Sequence, residues 1–138
     1  MKTNLNIVWL FAILITSCSN LSKPTKNQVK LSVQYEFINI SDGFDHDTKT
    51  IIKIDGKQVA ESSQHKESQK QTIKLIAPKG QHQIEIMNYA LYKGIWEEHT
   101  VENNYSQDCL YQANMDLKDN TLIKLTFDLN EGTSVEIR

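Results

Sequence analysis

Cysteine is scarce in this 138-residue chain: Cys18 and Cys109 are the only two, too few for a framework of disulfide staples. Long hydrophobic runs are absent as well. The longest, Ile7 to Ile15, has nine apolar residues, and a membrane-spanning helix needs about 20. There is no basic excess, since 15 Lys and Arg stand against 17 Asp and Glu, which leaves no electrostatic footprint for nucleic acid. No window carries an apolar stripe at helical spacing, and this argues against an amphipathic-helix architecture. The four histidines, His46, His65, His82 and His99, form neither an H-E-x-x-H nor a His-x-His motif. A zinc site would have to assemble from separate loops.

What is present begins with a leader. A single basic residue, Lys2, precedes the apolar run Ile7 to Ile15, and small residues follow it. This is the layout of a secretory signal, whose apolar core runs to about 7–15 residues. Next comes Ile15-Thr16-Ser17-Cys18, which resembles the lipobox of bacterial lipoproteins. The resemblance implies cleavage after residue 17, diacylglycerol linked through a thioether to Cys18, and an acyl group on the new amine. Two or three such chains anchor a protein without a peptide span, because each buried methylene contributes about 0.8 kcal/mol. No other cofactor is expected. Ser19 is not the aspartate associated with inner-membrane retention, so the resemblance implies the outer membrane, facing the periplasm.

Cleavage removes Lys2 and no acid, so the formal charge goes from −2 to −3 over the 121 residues from Cys18 to Arg138. With Cys18 lipidated, Cys109 has no intrachain partner. Residues 18–28 carry the lipidated cysteine and a solvated tether, "SNLSKPTKNQ", with one proline and no apolar period. The folded domain is expected over 29–138.

From Val29 the pattern alternates. Val29, Leu31, Val33, Tyr35 and Phe37 interleave with polar residues. The period returns at Ile52 and Ile54; at Ile73, Leu75 and Ala77; at Ile84 and Ile86; from Cys109 to Leu117; at Ile123, Leu125, Phe127 and Leu129; and at Val135 and Ile137. Asp55-Gly56, "APKG" at 77–80 and "NEGT" at 130–133 supply turns between these runs. Seven to nine short strands predict an all-β, antiparallel, Ig-like sandwich. "SSQHKESQKQ", residues 62–71, has no aliphatic or aromatic residue and reads as a solvated loop. Residues 52–86 resemble the strand-turn-strand core of Ig-like envelope modules of the PEGA type, although "AESS" stands where the family's naming tetrapeptide would be. That resemblance implies a binding or attachment role and brings no catalytic residues.

Several clusters carry possible chemistry. Asp42, Asp45 and Asp47 in "DGFDHD" supply carboxylates of the kind Ca²⁺ requires, but the spacing is not that of an EF-hand, because the twelfth position from Asp42 is Lys53. A turn braced by aspartate side chains is the plainer reading. Glu97 and Glu98 are adjacent, so a strand sends them to opposite faces and they cannot form a facing catalytic pair. Cys109 shares the apolar face of its strand and is expected to be buried and inert. The richest recognition surface lies between Met87 and Ser106: Tyr89, Tyr92, Trp96, Glu98, His99, Asn104 and Tyr105 mix aromatic faces with polar groups suited to a glycan or protein. The expectation is therefore a membrane-anchored lipoprotein with a non-enzymatic binding or accessory role in the envelope. The alternative is a structural or inhibitory protein of an envelope or secretion machine, with a calcium- or carbohydrate-binding module behind both.

Overall fold

The computed structural model describes residues 22–138. The leader 1–17 and Cys18 lie outside the described residues. Ten strands follow one another: β1 Gln28–Ile38, β2 Asp47–Ile54, β3 Lys57–Glu61, β4 His65–Lys66, β5 Gln71–Pro78, β6 Gly80–Tyr92, β7 Ile95–Glu98, β8 Leu110–Leu117, β9 Thr121–Asp128 and β10 Gly132–Ile137. A short 3-10 turn, Val101–Asn103, is the only helical element among the described residues.

The strands form the expected all-β sandwich of two sheets. One sheet has the order β10-β9-β1-β5. The other is β3-β2-β6-β7, with β4 extending the β2 edge and β8 pairing with β6. Strand β6 is long enough to hold two partners end to end: Gly80 to Met87 face β8, and Tyr89 to Tyr92 face β7. All pairs are antiparallel except β1 with β9, which run parallel with Leu31 opposite Thr121. This pair and the count of ten are the departures from a purely antiparallel sandwich of seven to nine strands. The extra strands are short ones, β4 and β7, whose composition is mostly polar.

Alternation places the core as it should. Leu31, Val33, Tyr35, Leu125, Phe127 and Ile123 from one sheet meet Ile52, Ile54, Ile84, Ile86 and Leu117 from the other, all buried. Each such aliphatic or aromatic side chain contributes about 1.5–3 kcal/mol when fully buried. Asp55 and Gly56 both take positive φ, 50° and 76°, as the two-residue turn between β2 and β3 requires. Lys93 and Gly94, at 48° and 83°, make the same kind of turn between β6 and β7.

Strand directions sort the loops by end. Gln28, the Asp55-Gly56 turn and Arg138 lie at one end. At the other end lie the β1–β2 loop (39–46), the segment after β4 (67–70), the β6–β7 turn, the β7–β8 loop (99–109) and the β9–β10 turn (129–131).

The inner face of the second sheet changes character along its length. Ile52, Ile54, Ile84 and Ile86 are followed, toward the loop-rich end, by Thr48, Thr50 and Asn88, all fully buried. Asn88 Oδ1 accepts from Thr48 Oγ1 at 2.8 Å and Asn88 Nδ2 donates to Thr50 Oγ1 at 3.1 Å. The core therefore hands over to a polar, hydrogen-bonded region beneath the converging loops.

Candidate functional site

The converging loops enclose a cavity of about 690 Å³ lined by the β1–β2 loop, Glu67, Tyr92, Glu97, His99, the 102–106 turn and the β9–β10 turn. That volume is in the range of small-ligand pockets, roughly 300–1,000 Å³. Side chains fix the loops around it. Asp45 accepts from Ser68 N at 3.0 Å and Ser68 Oγ at 2.7 Å, which ties the β1–β2 loop to the segment after β4. Asp128 Oδ1 accepts from Asn39 Nδ2 at 2.8 Å and from Asn130 N at 2.9 Å, joining the exit of β1 to the β9–β10 turn. In both aspartates these bonds hold the carboxyl below its usual range, with the Ser68 and Asn39 side chains the largest lowering influences.

The β7–β8 loop is closed at its neck. His99 N donates to Asn88 O at 2.9 Å, Asn88 N to Cys109 O at 3.0 Å, and Cys109 N to His99 O at 2.8 Å. Residues 100–108 thus leave and return at a single point on β6. Inside the loop, Asp108 Oδ1 accepts from Val101 N at 2.8 Å, and Asn104 takes a left-handed conformation at φ 67° that ends the 3-10 turn. Tyr105 is thereby turned back over His99.

The floor of the cavity is a buried pair. His99 Nδ1 lies 2.9 Å from Glu67 Oε1, with the two side chains 3% and 1% exposed. The distance is that of an ion contact, yet the oxygen lies off the ring N–H direction, so neither Glu67 oxygen nor His99 Nδ1 has a directed hydrogen bond. Glu67 Oε1 is thus in close contact with the imidazole, while Oε2 has no hydrogen-bond partner. A buried carboxylate without directed donors is costly, so its presence calls for a reason. The Tyr105 hydroxyl is also buried and unpartnered. Burial first, then the Glu97 and Glu67 carboxylates, pushes its pKa up, so it remains a donor.

Rings connect this floor to the core and to the rim. Centroid separations are 4.9 Å for Phe127–Phe37, 5.7 Å for Phe37–His99, 4.3 Å for His99–Tyr105, 5.6 Å for Tyr105–His46 and 6.4 Å for His46–Phe44. Such offset and tilted contacts fix ring orientation as well as burying area. A histidine with an aromatic on each side has little freedom to swing away from Glu67.

No family model, curated protein or solved structure matches this chain.

The structure divides the recognition surface expected between Met87 and Ser106. Tyr92, His99, Asn104 and Tyr105 line the cavity together with Glu97. Tyr89, Trp96 and Glu98 belong to the outer face of the same sheet, because Tyr89 pairs with Glu98, and Trp96 with Leu91, on the opposite parity. There Tyr89 Oη donates to Glu98 Oε1 at 3.2 Å, and Lys49 Nζ sits 4.9 Å above the Trp96 ring while also contacting Glu61. Glu97 and Glu98 do point to opposite faces.

Residues 62–71 are not the solvated loop their composition implied. His65 and Glu67 are buried, and His65–Lys66 pairs with β2 at Thr48 and Asp47. His65 Nδ1 is 2.7 Å from Ser63 O, which can only accept, so in the neutral ring Nε2 accepts from Tyr35 Oη at 3.3 Å. Polar partners rather than apolar neighbours hold this segment down, and hydrophobic periodicity has no sensitivity to that.

The acidic turn is committed elsewhere. Asp45 braces Ser68, and Asp47 contacts Lys66 Nζ at 3.1 Å. Among the described residues no three His, Cys, Asp or Glu side chains converge as metal ligands. Cys109 is fully buried, and burial pushes its thiol pKa far above the usual range.

Proposed function

We propose that this chain is an envelope lipoprotein, held to the outer membrane by lipid on Cys18, whose sandwich domain binds a partner non-enzymatically in the cavity above Glu67. The observation that carries the binding reading is the Glu67 carboxylate, 1% exposed, at the floor of a 690 Å³ cavity and without a directed hydrogen bond. Groups kept at a cost to stability are characteristic of sites that receive something.

Placement of the cavity supports the anchored arrangement. The tether enters β1 at Gln28, whose end of the sandwich is opposite the cavity. The eleven residues of β1 separate the two ends by roughly 35 Å at about 3.3 Å per residue. With lipid on Cys18, the attachment point and the cavity mouth stand at opposite ends of the domain, which supports a partner approaching from the side away from the bilayer.

Two measurements on the full chain test this. Radiolabelled palmitate is incorporated by the parent and not by Cys18→Ser, and the variant leaves the membrane fraction. In an NMR fragment screen, His46, His99 and Tyr105 resonances respond to bound fragments, and Tyr105→Trp, which fills the cavity, removes the response. A screen in which no fragment moves these resonances counts against a binding site.

A further inference from the structure

The chemistry of the cavity specifies what enters it. Its charged lining consists of Glu67, Glu97 and Glu102, and no Lys or Arg is among the described residues that line it. Glu67 is the deepest of the three, and its second oxygen, Oε2, has neither a hydrogen bond nor an ion contact. A buried anion with a free oxygen at the base of an anionic cavity is matched by a cation that brings N–H donors. Aromatic faces add to this, since Tyr92, Tyr105 and Phe44 line the same space and ring faces attract ammonium and guanidinium groups. Lys93 Nζ already rests 4.9 Å from the Tyr92 ring centroid at the rim, so a cation is accommodated there.

The rim adds a second requirement. Phe44 and Tyr92, 61% and 47% exposed, line the cavity, and Ile95, 65% exposed, lies opposite Tyr92 on the same sheet face. Three large, exposed side chains at one mouth are a contact surface rather than scattered exposure. A free metal ion or a small amine would leave them in water. A peptide segment with apolar residues on either side of a basic one would cover them.

We infer that the cavity takes a lysine or arginine side chain of a protein partner, with the Glu67 carboxylate receiving its N–H donors and the apolar rim receiving its neighbours in sequence. This rests on the binding reading above and adds the class of partner. The stem of a lysine or arginine is apolar and suits the ring-lined shaft, while its head group reaches the floor.

The test uses the full chain in detergent micelles with three probes: acetyl-Ala-Leu-Lys-Leu-Ala-amide, the same peptide with norleucine for lysine, and n-butylammonium. The lysine peptide should shift the His46, His99 and Tyr105 resonances saturably, and the other two probes should bind at least about tenfold more weakly, the scale of one lost charge-assisted contact. Glu67→Gln should weaken the peptide by a similar factor. Glu97→Gln, on the half-buried wall, provides the same reading if Glu67→Gln fails to fold. Trp96→Ala, on the outer face, should leave binding unchanged. Equal binding of the norleucine peptide overturns the cationic specificity, and equal binding of n-butylammonium overturns the peptide partner, while both leave the cavity as a binding site. If no probe moves the three resonances, the inference fails, and when the fragment screen is silent too, the binding reading fails with it.

Discussion

His99 Nδ1 and Glu67 Oε1 are 2.9 Å apart across a contact between two segments that sequence separates by 32 positions. Neither segment is part of the apolar core, yet both side chains are almost wholly removed from water. Loss of the imidazole leaves the carboxylate buried without its neighbour, whereas replacing both side chains by apolar ones removes the problem. His99→Phe should cost about 3–5 kcal/mol in urea unfolding, and the pair His99→Phe with Glu67→Leu should be at least as stable as the parent. Additive effects of the two single changes would show that the contact carries no coupling.

Asn88 bridges Thr48 and Thr50 at the point where the core turns polar. Asn88→Ala leaves Thr50 Oγ1 without its donor, while Thr48 Oγ1 keeps Tyr89 O at 2.7 Å as an alternative acceptor. The expected loss is about 1–3 kcal/mol, the cost of one buried unsatisfied group. Thermal and urea unfolding of the variant measure it, and Asn88→Asp should be worse because it adds a buried charge.

Cys109 is 0% exposed, and burial, then the Glu67 and Asp108 carboxylates, pushes its thiol pKa up; only a weak contact from Gln107 opposes this. The thiolate is the reactive species, so a maleimide or aromatic disulfide at pH 8 should label it negligibly in the native protein and fully in urea. Rapid native labelling would mean that the neck of the 99–109 loop opens readily.

At the opposite end, Asp55 accepts from Gln83 N at 2.9 Å and lies 2.7 Å from His82 Nδ1. The His82 contact, then the Gln83 backbone, holds the carboxyl below its ordinary value. A carboxyl that is more acidic folded than unfolded contributes stability in full above the unfolded carboxylate range, from about pH 5 upward, and the contribution disappears as pH falls through the lower folded value. The difference in urea midpoint between the parent and Asp55→Ala should therefore shrink as the pH falls from about 5 toward 2.

Much of the scaffold was legible in the chain. Strands β1, β5 and β9 alternate apolar and polar residues over their length, and Asp55-Gly56 announced its turn through residues that tolerate positive φ. Lys93-Gly94 makes an equivalent turn without that signature, since lysine has no side-chain device that favours it. The candidate surface was legible only in part. Tyr92, His99, Asn104 and Tyr105 stood out as an aromatic and polar group, but their separation from Tyr89, Trp96 and Glu98 depends on how β7 pairs with β6. Glu67 was hidden altogether. Its burial comes from β4 pairing with β2 and from the packing of loops far away in sequence, and local composition carries none of that.

The side-by-side alignment of β1 with β9 has a bearing on how the molecule is made. Leu31 finds Thr121 only when nearly all of the polypeptide has been delivered, so the first strand waits for almost the last. A chain of which only the first hundred residues are available holds a β1 bordered by β5 alone, its other flank bare and able to pair with anything extended nearby. Contacts so distant along the chain also slow the final step of assembly. The first sheet can thus close only late, once the last two strands are available.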